Sequence, residues 1–107
     1  MTNFNVTESI MRAHQIKSAM LKSFDVDFTF NAAFNTMIFS IEYFLKNPSD
    51  FFANAARKDV MMACAKGEAA MKFGAEKDLT SQALAVCYAF RDAMSSNNNA
   101  GLIAQEN

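Results

Sequence analysis

The chain has 107 residues, ten basic and eleven acidic side chains, and a net charge of −1. A chain of this length buries roughly 60–70% of its unfolded surface, which builds a core without metals or disulfides, and with 51% hydrophobic residues it falls outside the disordered class. No block of like charge exists, so the clustered Lys and Arg of non-specific nucleic-acid or membrane-surface binding are missing, as are the many carboxylates of an acidic DNA mimic.

The apolar content is unusual, with eleven Phe, eight Met and no Trp. It reads as a core in which Met fills irregular gaps; Met-rich surfaces also serve as adaptable binding sites. No run of ~18 apolar residues is present. The richest stretch, 28–45, is broken by Asn31, Asn35, Thr36, Ser40 and Glu42. The opening residues Met1-Thr2-Asn3-Phe4 are not basic and precede no apolar run, so a soluble cytoplasmic protein without a signal peptide is expected. Cys64 and Cys87 both fall on apolar helical stripes and read as buried, reduced thiols.

Periodicity predicts a first helix over 6–24, with Asn5 and Glu8 at capping-box spacing. Val6, Ile10, Ala13, Ile16, Met20, Leu21 and Phe24 share its apolar side, and Lys17 projects into that stripe as a snorkelling side chain or as a charge held for a partner. Asp25-Val26-Asp27 makes a polar link in which Asp27 or Thr29 caps the second helix, predicted over 28–46. That helix is apolar on two sides. Phe30, Phe34, Met37, Ile38, Ile41, Phe44 and Leu45 form a broad stripe, and Phe28, Ala32, Phe39 and Tyr43 form a second one nearly opposite. Such a helix is either surrounded within its own chain or carries one side into an interface.

Asn47-Pro48 ends the second helix and opens the third, with Asn47 as the cap and Pro48 in the first helical position. The third helix extends to about Phe73. Phe52, Ala56, Val60, Ala63, Gly67, Ala70 and Gly74 share a side of mostly small residues that lets another helix approach closely. Asp59 and Lys66 sit at the edge of that arc. Asp78 is expected to cap a fourth helix over 79–94, with Leu79, Ala83, Val86, Cys87, Phe90 and Met94 facing the core and Leu84 and Tyr88 forming a small apolar spot off the stripe. Ser95 onward reads as a flexible polar tail.

Little in this pattern points to catalysis. His14 is the single histidine and lacks an obvious third group. Cys64 and Cys87 are too far apart in sequence for a zinc motif, one His does not make a di-iron bundle, and the glycines stand singly. Asn54, Arg57 and Lys58 give the third helix the residue types of a DNA-recognition helix, but in a number that chance supplies. Richness in Asn, Phe, Ile and Lys resembles the products of AT-rich genomes, phage and plasmid accessory genes among them.

The expectation is therefore an all-α protein: a compact four-helix bundle, regular or irregular, with a single domain over 1–94 and a tail over 95–107. Its expected function is non-catalytic and stoichiometric, as an adaptor or as an inhibitor of a host protein. The candidate partner-binding residues are Phe28, Phe39, Tyr43, Leu84 and Tyr88, and the partner is another protein or a second copy in a homodimer. No catalytic residue, cofactor or metal is expected. A homodimeric DNA-binding regulator using the third helix is the alternative, and a small enzyme built on His14 comes third.

Overall fold

The computed structural model describes residues 4–96, and side chains as far as Met94. Four α-helices and no strand are found among them: α1 (Val6–Lys22), α2 (Phe28–Lys46), α3 (Asp50–Phe73) and α4 (Lys77–Ser96). α3 sits between α2 and α4, and α1 packs on both α2 and α4 and closes the ring. Short connections make successive helices antiparallel. One apolar cluster joins all four, and it contains Phe34, Ile38, Ile41, Val60, Val86 and Phe90. No described helix is long and apolar enough to cross a membrane.

The helix ends follow from local hydrogen bonding. Asn5 Oδ1 accepts the Glu8 N–H at 2.9 Å and starts α1. α1 stops at Lys22, two residues earlier than periodicity suggests, because Ser23 turns extended and donates its N–H to Met20 O. Phe24 consequently lies exposed, and Leu21, still within α1, is exposed as well, so neither belongs to the core stripe. Lys17 is half-buried. Asp27 caps α2 through the Phe30 N–H at 2.8 Å.

Two starts differ from expectation. Ser49, not Asn47, caps α3, its Oγ accepting the Phe52 N–H at 3.1 Å. Asn47 instead closes α2, its N–H reaching Tyr43 O at 2.9 Å and Phe44 O at 3.2 Å. Standing before Pro48, Asn47 is sterically kept out of the helical region, so it ends one helix and leaves the cap of the next to Ser49. α4 begins at Lys77, and the Glu76 carboxylate takes the Leu79 N–H at 2.9 Å, which leaves Asp78 inside the first turn. α4 also continues to Ser96, two residues into the segment read as tail; 97–107 lie outside the described residues.

Gly67 sets the packing of three helices. A β-carbon there would stand 2.7 Å from Leu84 Cδ1 and 2.9 Å from Phe30 Cε1. α2 and α4 thus press against bare α3 backbone, as the small-residue stripe implies. Gly74 ends α3 as expected, and a β-carbon on it would meet Ala70 O at 2.6 Å.

Candidate functional site

The second stripe of α2 stays uncovered. Phe28 is 84% exposed, Phe39 69% and Tyr43 43%, while Phe30, Phe34, Met37, Ile41 and Phe44 on the other side are sealed in the core. The caps at the α2–α3 connection then place aromatic side chains of α3 beside this stripe. Asn47 bonds to Tyr43 O, and Ser49 bonds to Phe52 N, so the two caps hold Tyr43 and Phe52 directly. Tyr43 meets Phe52 edge to face at 4.7 Å between ring centroids, Phe39 stacks on Tyr43 at 6.1 Å, and Phe51 meets Phe52 at 5.2 Å.

These rings wall an open groove of about 430 Å³ lined by Phe39, Ser40, Tyr43, Phe51, Phe52 and Ala55. Its one aliphatic hydroxyl, on Ser40, donates to the Asp59 carboxylate behind it. Apart from the Ser40 and Tyr43 hydroxyls the lining is apolar, so it offers dispersion, ring stacking and desolvation. A size of 300–1,000 Å³ is usual for ligand pockets. A smaller cavity between α1 and α4 measures about 150 Å³ and is lined by Ser9, Arg12, Ala85, Val86 and Ala89.

Phe28 does not line the groove, but it belongs to the same surface. It precedes Phe39 by eleven residues, three helical turns, and so shares its side of α2 about 16 Å away. On α3 the same interval separates Phe51, Met62 and Phe73, which are 75%, 48% and 86% exposed. Sequence reasoning singled out none of these three. Their signal is that eleven-residue spacing, on the side of α3 opposite its small residues.

Leu84 and Tyr88 do not form the expected apolar spot. Leu84 is 8% exposed and wedged against Gly67, a core residue that the reading by periodicity left off the stripe. The close approach at Gly67 widens the buried arc of α4 and takes in both Leu84 and Thr80. Tyr88 is half-buried and polar in its engagements: its hydroxyl donates to the Glu68 carboxylate, and the Arg91 guanidinium lies 4.4 Å from its ring centre. The bond to Glu68 favours the neutral phenol and pushes its pKa up to about 12.

The remaining candidate chemistry is dispersed. His14 Nε2 pairs with Glu42 Oε2 at 3.0 Å across the α1–α2 seam, where both are partly exposed. Cys64 on α3 and Cys87 on α4 are free and buried. Their mutual interaction lowers the Cys64 pKa and, with burial, raises that of Cys87. The histidine and the thiols therefore belong to different seams and do not make a Cys–His pair. Arg57 is half-buried and donates to Asn54 Oδ1 at 2.9 Å, while Lys58 is exposed beside them. Among the described residues no cluster of three or more His, Cys, Asp or Glu is placed to hold a metal ion.

No family model matches the chain, and no curated protein or solved structure matches it either.

Proposed function

We propose that this chain is a non-catalytic protein-interaction module that works stoichiometrically through the outer face of α2 and α3. The observation that carries this reading is the run of exposed aromatic side chains around an apolar groove fixed by two helix caps. Aromatic anchors of this kind dominate interface energies. Rings held in place by caps and by one another lose little freedom on binding, which favours affinity. Acting as an adaptor or inhibitor, the chain would bridge or occlude a protein partner in the cytoplasm. The AT-rich character of its composition fits a phage or mobile-element product directed at a host protein.

The test is a pair of immobilised chains, the wild type and a Phe39→Glu/Tyr43→Glu variant, each exposed to extract of the native cell and read by quantitative mass spectrometry. Both substitutions fall on exposed positions, so the helical circular dichroism of the variant is expected to persist. Proteins held by the wild type and lost from the folded variant support the reading. Equal capture by both chains refutes it, and so does global unfolding of the variant, which would make the stripe core.

A further inference from the structure

We propose that a second copy of this chain covers the α2–α3 face, with two α3 helices running antiparallel and Met62 lying on the two-fold axis. This inference rests on reading that face as an interaction surface, and it names the occupant. The area comes first. Taking about 200 Å² for a free aromatic side chain, the exposed parts of Phe28, Phe39, Tyr43, Phe51, Met62 and Phe73 amount to on the order of 800 Å². The largest apolar patch on a typical monomer is roughly 300–600 Å², whereas a standard interface covers about 800 Å² on each partner.

The pattern along α3 selects a second copy. Phe51 and Phe73 stand eleven residues on either side of Met62, and Ala55 and Ala69 stand seven on either side. At 3.6 residues per turn these five positions fall within about 40° of arc. The stripe therefore reads the same from either end, and a two-fold contact about Met62, in which residue i meets j and j meets i, sets its like side chains against each other. An antiparallel pairing about Met62 sets Phe51 against the partner's Phe73, Ala55 against the partner's Ala69, and Met62 against itself.

Charge and shape agree with this register. Asp59 and Lys66 lie on the α2 side of the stripe, three residues before and four residues after Met62. The pairing therefore brings Asp59 beside the partner's Lys66, and the symmetry repeats that contact. The helix ends differ in relief: the groove lies at the Tyr43–Phe52 end, while Phe28 and Phe73 protrude at the other. Exchange of ends by the two-fold axis delivers the partner's Phe28 and Phe73 to that groove, so knobs and hollow are filled reciprocally.

Sedimentation equilibrium and cysteine cross-linking on the full chain test the inference. The wild type should give twice its 11.9 kDa chain mass at micromolar concentration. Met62→Arg sets two like charges face to face and should raise the dimer dissociation constant at least about a hundredfold while leaving the helical spectrum intact. Met62→Cys should yield a covalent dimer under mild oxidation, because a residue on a two-fold axis meets its own copy; Met11→Cys, exposed on α1, should not. A wild type that remains monomeric overturns the inference, as does a dimer that tolerates Met62→Arg or cross-links equally through Met11→Cys. In the capture experiment a second copy would appear as the chain itself, held by the wild type and lost from the Phe39→Glu/Tyr43→Glu variant; a different protein captured in that way by a wild type that sediments as a monomer would overturn the dimer and leave the interaction face standing.

Discussion

Gly67→Ala sets two well-known effects against each other, and the structure decides the sign. In a helix interior the replacement normally stabilises by about 1 kcal/mol, because glycine costs backbone entropy there. At this position the new methyl would lie 2.7 Å from Leu84 Cδ1 and 2.9 and 3.1 Å from the edge of the Phe30 ring, where carbon contacts prefer about 3.5–4.0 Å. Leu84 can swing its terminal methyl aside. Phe30 cannot retreat, since its ring is fully buried and packs edge to face on Phe34 at 5.9 Å. Overpacking typically costs about 1–3 kcal/mol, so after the propensity gain the expected net result is a destabilisation of about 0–2 kcal/mol, equivalent to a fall in Tm of up to roughly 16 °C. Urea unfolding followed by circular dichroism measures it. Leu84→Ala alone should cost about 2–5 kcal/mol, and the double variant should lose less than the two single losses together, because the added methyl then occupies vacated space. A Gly67→Ala chain more stable than the wild type, or strict additivity in the double variant, would refute the three-helix contact on which this reasoning stands.

Phe34→Ala should cost about 3–5 kcal/mol in the same assay, since the ring is fully buried in the central helix. Ser49→Ala removes the cap that holds Phe52 at the groove and should cost about 1 kcal/mol by the same measurement. Mass spectrometry under non-reducing conditions should find both thiols free, and limited alkylation should mark Cys64 before Cys87, because Cys64 is 5% exposed with a lowered pKa whereas Cys87 is sealed with a raised one; the reverse order would contradict that assignment. The folded-state pKa of Tyr88 lies above the ordinary phenol value, so its bond to Glu68 contributes stability in full below pH ~10, and that contribution is lost as pH rises through about 12. The stability difference between wild type and Tyr88→Phe should accordingly shrink over that interval, and a difference that grows would reverse the assignment.

The helices were legible because their apolar residues recur at helical spacing over four turns or more, and no competing alternation exists. Their ends were less so, and the reason is specific. Asn47, Pro48 and Ser49 all carry helix-start chemistry, and only the steric demand of Pro48 on Asn47 assigns the cap to Ser49. At α4 a Glu outcompeted the better cap former, Asp78, because Glu76 sits three residues before the Leu79 N–H it accepts. Leu84 illustrates a different limit. A helical wheel treats the buried arc of α4 as fixed, whereas its width depends on how near α3 comes, and that distance is set by a missing side chain at Gly67 on another helix.

The uncovered face follows from the same geometry. In a ring of four helices each member spends its inner arc on the core and its two flanks on neighbours, which leaves its outer arc to solvent. Of the stripe opposite the core stripe of α2, Tyr43 meets Phe52 of α3, whereas Phe28 and Phe39 point away from both neighbours' inner arcs. Phe28 and Phe39 on α2 are therefore exposed by topology. Phe51, Met62 and Phe73 are exposed for the complementary reason: the small residues of α3 claim the inner arc and leave its large ones outside. Two helices that each carry bulky apolar side chains outward, side by side and at the same eleven-residue interval, make a surface that the monomer alone does not bury.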